Sequence, residues 1–348
     1  MNSVSTPANN TWYTLSFSVT PLGGYDMYNP RVDFTGGTGN LFVVVNMSWP
    51  YTPPSDNFSA WTGIAPQSKL VGAKVLDSKG VGDANQLISG INWIIANRVA
   101  YHITVASMSL GFSSEVTAVD SAVLNLVNSG ISTTVAAGND GSGSNRVYTP
   151  SSVDEVITVA AMNQFDNIAS YSSQGGISRY TGKTLKPDIT APGGSFYAVP
   201  LFSVDSNFND VEGGFADVQA NDAAPMQGTS MAAPVISGCA QIVIQALGGY
   251  GQWNWSRSQA LQPKMILLMT ATETYPNLRE GGTISTSPTL QRGGKDFQEG
   301  YGRVNLDAAV DALLKTYVVG NNVTDNLGSP PKLTDISVVG QRLAWARQ

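Results

Sequence analysis

Gly228-Thr229-Ser230-Met231-Ala232-Ala233-Pro234 is the stretch from which the rest of the chain is best read. It runs directly into Val235, Ile236, Ala240, Ile242, Val243, Ile244, Ala246 and Leu247, whose spacing near 3.6 residues predicts a buried helix of about five turns. Ser230 then falls in the first turn, where backbone N–H groups are unspent and the positive end of the helix dipole favours negative charge. Two readings follow. Thr229 or Ser230 caps a core helix, or Ser230 attacks a carbonyl at a place where the developing oxyanion is stabilised in advance.

Working outward, strand and helix patterns alternate. Leu70 to Leu76 is a continuous apolar run suited to a strand buried on both faces of a parallel sheet. Asp83 is placed to cap a helix with Leu87, Ile88, Ile91, Ile94 and Ile95 as its buried stripe. Ile103 to Met108 reads as a strand, Val116 to Asn128 as a helix ended by Ser129-Gly130, and Ile131 to Ala137 and Val156 to Ala161 as further strands. Pro263 to Thr272 and Val304 to Leu314 read as helices. The alternation predicts an α/β fold in three layers, a mostly parallel sheet with helices on both faces. Sites in such sheets lie at the carboxyl ends of strands, where Ser109-Leu110-Gly111 and Asn139 fall. Earlier, Trp12 to Val19 and Leu41 to Val45 read as strands, and Leu333 to Trp345 looks extended.

The motifs resemble those of the subtilisin-like serine peptidases, whose nucleophile lies in Gly-Thr-Ser-Met-Ala-x-Pro. Further blocks follow in the family's order: Gly63-Ile64-Ala65-Pro66, Ala73-Lys74-Val75-Leu76, Ser107 to Gly111, Ala136-Ala137-Gly138-Asn139, Val156 to Ala161 and Tyr171-Ser172-Ser173. Lys186 to Gly193 and Gly300 to Asn305 complete the series, across roughly Thr62 to Leu314. The resemblance implies a subtilisin-like fold and a serine endopeptidase acting on peptides or proteins. It makes Ser230 the nucleophile and Asn139 the oxyanion donor, although Gly-Asn alone also suits a turn. It makes Ser109, Leu110, Gly111, Ala136, Ala137, Gly138 and Thr229 substrate-binding, pairing with an extended peptide. Domain limits of 61–315 for the peptidase domain, 1–60 for an atypical N-terminal segment and 316–348 for a linker with the start of a β-rich appendage are expected.

The base and its orienting carboxylate are not found. The family's Asp-Thr-Gly (or Asp-Ser-Gly) and Gly-His-Gly-Thr-His motifs do not occur. His102 is the only histidine and precedes its strand, so a surface or structural role at the end away from the site is expected. Asp33, in Val32-Asp33-Phe34-Thr35-Gly36, is the nearest approach to the aspartate motif. Relatives with a glutamate base need an early glutamate and an oxyanion aspartate, whereas the first glutamate here is Glu115 and the oxyanion position holds Asn139. Three readings stay open: a peptidase whose missing triad residues lie on another chain or segment, a catalytically inactive relative that binds peptides or serves structure, and a self-assembling extracellular scaffold.

Composition narrows the partners. Charged residues make up 13% and the net charge is −6, which argues against nucleic acid. No apolar run reaches the length of a membrane span. Low charge with sequons at Asn9, Asn46, Asn57, Asn254 and Asn322 suggests a glycosylated extracellular or cell-surface protein, and the missing export signal suggests a true start elsewhere. Cys239, the only cysteine, is expected as a small core residue. No cofactor is certain. Calcium is implied by the resemblance, and Asp205, Asp210, Glu212, Asp217 and Asp222 form either an oxygen-ligand set or a solvated acidic loop.

Overall fold

The computed structural model describes residues 42–45, 63–77, 80–143, 145–195, 200–204, 223–272, 279–280 and 295–314. The chain divides into two compact units, residues 1–35 with 203–224, and residues 36–202 with 225–348. The sheet and the candidate site belong to the second. The strands expected at Trp12–Val19 and beyond Leu333, Asp33, the acidic stretch from Asp205 to Asp222, and the sequons other than Asn254 lie outside the described residues.

Two short strands come first, β1 (Phe42–Val45) and β2 (Leu70–Ala73), paired antiparallel. Helix α1 (Ala84–Asn97) follows, opened by a capping box in which Asp83 accepts from the Gln86 N–H and the Gln86 side chain accepts from the Asp83 N–H. Then come β3 (Val105–Met108), α2 (Thr117–Asn128), β4 (Ser132–Ala136), β5 (Ile157–Met162) and β6 (Ile189–Pro192). Strands β3 to β6 form a parallel sheet in the order β3-β4-β5-β6. After the paired strands β7 (Leu201–Val204) and β8 (Ala223–Met226), the chain adds α3 (Thr229–Ala246), α4 (Arg257–Met269) and α5 (Leu306–Leu314).

Side chains alternate across the sheet, so β3 and β4 feed two cores. On one face Ala106, Met108 and Val135 pack with Leu87 and Ile91 of α1 and Val119, Val123, Leu126 and Val127 of α2. On the other, Ala136, Ile157, Val159 and Ala161 pack with Ala232, Ile236, Ala240 and Val243 of α3 and Ala309 of α5. This is the expected three-layer α/β architecture. Cys239 sits in the second core, where burial pushes its thiol up to about 12. Helix α3 is long and apolar enough to cross a membrane, and its packing between sheet and helices accounts for that composition.

Two expectations need correction. Leu70–Ala73 is not a doubly buried strand of the parallel sheet, because it pairs with β1 instead and Leu70 is 68% exposed. A run of apolar residues signals burial only where other elements cover both faces. Helix α4 starts at Arg257 under a Ser256 cap rather than at Pro263, which lies inside it. Burial of Ala260, Pro263 and Leu267 holds that helix through the proline.

At the amino ends of β5 and β6 lies a buried charge cluster. Asp188 Oδ2 accepts from the Thr158 N–H at 2.8 Å and from Lys186 Nζ at 2.7 Å, Lys264 Nζ lies 3.3 Å from it, and Lys295 binds Oδ1. Burial alone would raise the Asp188 carboxyl, but the three ammonium charges outweigh it and hold the group far below the usual carboxylate range. Burial pulls Lys186 down to about 7 against the attraction of Asp188.

Candidate active site

Three backbone segments converge on one cleft of about 330 Å³. They are the end of β3 (Ser109, Leu110, Gly111), the end of β4 (Ala136, Ala137, Gly138, Asn139) and the start of α3 (Thr229, Ser230). All nine residues singled out from the sequence therefore line the same cavity. Asp140, Arg146, Tyr148 and Thr149 line it as well.

The Asn139 amide has a determined orientation. Its Oδ1 accepts from the Thr229 N–H at 2.9 Å and from the Thr229 hydroxyl at 3.0 Å. A backbone N–H can only donate, so the oxygen must face Thr229 and the NH2 must face away. Nδ2 lies 3.4 Å and the Ser230 N–H nitrogen 3.5 Å from where a Cβ on Gly228 would stand. Among the described residues neither donor has a hydrogen-bond acceptor, and both nitrogens lie within 3.5 Å of that one position at the start of α3. Glycine at 228 keeps that point open. Thr229 itself is 1% exposed, and its hydroxyl also accepts from the Gly138 N–H at 3.1 Å, so its polar groups are engaged in holding the Asn139 turn.

The turn is braced from below. The Ser173 N–H donates to the Gly138 carbonyl and the Asp140 N–H to the Ser173 hydroxyl. Gly138 has φ +108°, and a Cβ there would stand 2.8 Å from that hydroxyl. At the helix mouth, the Tyr171 hydroxyl lies 2.9 and 2.7 Å from the carbonyls of Gly193 and Gly194 and accepts from the Gly228 N–H at 3.1 Å. Burial pushes that phenol above its ordinary value. These contacts explain why Tyr171-Ser172-Ser173 and Gly193 stand beside the nucleophile motif, which sequence reading did not resolve.

Ser230 is the second residue of α3. Pro234, four residues on, has no N–H to give the Ser230 carbonyl, and the Ser109 hydroxyl donates to that carbonyl at 2.7 Å instead. The neighbouring strand thus completes a bond that the helix cannot make. No side chain among the described residues hydrogen-bonds to the Ser230 hydroxyl. His102 is exposed, has φ 54°, and stacks on the Tyr250 ring with centroids 4.5 Å apart. It precedes β3 while Ser109 follows it, which at the rise of a strand separates them by roughly 20 Å. The expectation of a structural His102 agrees with this placement. Among the described residues no cluster of three metal-ligating side chains occurs.

Comparison with known proteins agrees with the fold. The family model described as the Subtilase family matches residues 44–302. The chain belongs to that family. Subtilisin DY of Bacillus licheniformis is 33% identical over 191 residues, 54% of this chain and 58% of that protein. A cuticle-degrading serine protease of Arthrobotrys oligospora is 34% identical over 187 residues, 54% of this chain and 39% of that protein. A minor extracellular protease of Bacillus subtilis is 37% identical over 113 residues, covering 32% and 17%. The matches thus span 58% or less of these relatives' lengths. A solved structure of proteases from Pseudoalteromonas arctica shares the fold, with TM-score 0.54 and 24% identity over 72% of this chain and 65% of that one.

Proposed function

We propose that the cleft is a serine endopeptidase site in which this chain supplies the nucleophile, Ser230, and an oxyanion hole formed by Asn139 Nδ2 and the Ser230 N–H. The observation that carries this reading is the Thr229 clamp on Asn139 Oδ1, which turns the amide NH2 away from Thr229 and leaves it near the space beside Gly228 that the Ser230 nitrogen also borders. Ser109 to Gly111 and Ala136 to Gly138 would flank an extended peptide on its two sides. The domain is taken as residues 61–315, flanked by 1–60 and 316–348. The extracellular protease among the relatives supports an extracellular setting.

The general base comes from elsewhere in this reading, from another chain or segment, because the only histidine lies at the far end of the sheet. Without a base a serine triad retains little activity, and loss of the histidine costs about a millionfold in subtilisin. Free imidazole should therefore act as a substitute. A fluorophosphonate is expected to label Ser230 slowly in the purified chain and faster as imidazole is added at neutral pH, with no labelling after Ser230→Ala. The position of His102 also favours a second reading, a peptide-binding relative without turnover. Absence of labelling at every imidazole concentration, with peptides still binding the cleft, would decide for it. Ordered self-association without either activity would point to the scaffold.

A further inference from the structure

Behind the cleft residues Phe112 and Thr149 lie two carboxyl groups, Glu115 and Asp120, that short hydroxyls cannot satisfy. The segment from Gly111 to Val116, whose first residues line the cleft, is joined to the segment from Thr149 to Ser152 by a donation from the Phe112 N–H to the Thr149 carbonyl at 2.9 Å. A second donation runs from the Val116 N–H to the Thr149 hydroxyl at 2.8 Å. That hydroxyl lies 2.9 Å from Asp120 Oδ2 and 3.2 Å from Glu115 Oε2, and the Ser152 hydroxyl donates to the same Glu115 oxygen at 2.9 Å. Thr149 has one proton to give, so with Ser152 serving Glu115 it serves Asp120. Asp120 is 1% exposed and its Oδ1 is buried without a partner. A proton on Asp120 removes the shortage, since the acid then donates toward the Glu115 carboxylate rather than repelling it.

We propose that Glu115 and Asp120 are positioning residues that hold the two segments together by accepting from the Ser152 and Thr149 hydroxyls, and that a proton on Asp120 keeps both carboxyls in place, so that this side of the cleft is tightest in acid. The inference rests on reading the cavity as the peptide-binding cleft. Burial, more than any other influence, pushes the Asp120 carboxyl up to about 6; the Thr149 hydrogen bond opposes this, and the charge and hydrogen bond of Glu115 add to it. Among the described residues no other charge faces the pair. Helix α1 and strand β4 carry no charged side chain. On α4, Arg257 is paired with Glu155 and Lys264 with Asp188. Across the loop that carries Thr149, Arg146 binds the Asp140 carbonyl and Asp154 binds Thr181 and Thr184. A carboxyl raised on folding contributes stability that is complete below its unfolded value of 3.8 and lost as pH rises through about 6. Above that, the ionised Asp120 and Glu115 repel each other beside the Thr149 hydroxyl they share, and the join between the two segments loosens.

The test is hydrogen exchange at the Phe112 and Val116 amides between pH 5 and 7.5, corrected for intrinsic rates. In the unaltered chain, protection at both is expected to fall about tenfold or more across that range. Asp120→Asn replaces the proton with a permanent donor and should keep both amides protected throughout. Glu115→Gln removes the like charge and should move the step to lower pH. A flat profile in the unaltered chain, or an unchanged step in Asp120→Asn, overturns the clamp. Exchange does not require turnover, so a clamp that behaves as expected in a chain whose Ser230 never labels would sink the peptidase reading and leave the clamp standing.

Discussion

The two ends of the parallel sheet are built by opposite rules. At the amino ends of β5 and β6, Asp188 is surrounded by three lysines and a backbone N–H, and its bonding capacity is used up inside the protein. At the carboxyl ends, the polar groups nearest Ser230 include an amide, hydroxyls and backbone N–H groups, and among the described residues two of the donors have no acceptor. A satisfied buried charge adds to the cooperativity of folding. A donor left open adds nothing to the empty fold and is available to a ligand. The sheet therefore separates what holds the protein together from what it offers to others.

That separation can be broken in either direction. Asp188→Asn should have the largest effect, because it leaves the buried Lys186 and the half-buried Lys264 and Lys295 without their carboxylate. About 3–5 kcal/mol of unfolding free energy should be lost, with the imidazole-assisted labelling rate of the folded fraction unchanged. Denaturant titration with labelling in parallel reads both, and a matching fall in labelling would show that the two ends are not separable. The same carboxyl gives an acid signature. Its value is depressed on folding, so its contribution is present above about 4 and lost as pH falls below that, and Asp188→Asn should flatten the slope of the unfolding midpoint in acid.

Next in size is Asn139→Ala. It should slow labelling by about 100- to 1000-fold, the cost known for an oxyanion asparagine in subtilisin, while reducing stability by only about 1 kcal/mol. Equal labelling of the variant would remove Asn139 from the site. Ser109→Ala is the mildest test, since it leaves the Ser230 carbonyl without a donor. A stability loss of about 1 kcal/mol is expected, with a several-fold slower labelling rate as Ser230 loses its support. Unchanged labelling would make the Ser109 contact purely structural.

Much of the carboxyl end was legible in the sequence because its parts are contiguous. A strand end, a Gly-Asn turn and a helix start each carry a local signal, and the parallel order brings those signals to one edge. Those signals placed Ser230, Asn139 and Ser109 at one edge, and the resemblance to the subtilisin-like peptidases suggested their roles. The amino end was not legible. Lys264 and Lys295 lie 76 and 107 residues from Asp188, and no period or motif couples them. The Glu115–Asp120 pair was hidden for a similar reason, since its partners Thr149 and Ser152 come from a different loop. Strand β2 misled because apolar composition reports what a segment could bury, not which neighbour covers it.

Pro234 also fixes the rotational phase of α3. Each residue of slippage along its axis would turn the helix by about 100°. Elsewhere a helix can slide and re-form its own ladder. Here one carbonyl depends on a hydroxyl from the sheet, so any slip would strand it. The direction in which Ser230 faces is therefore set by the neighbouring strand, and the helix alone could not maintain it.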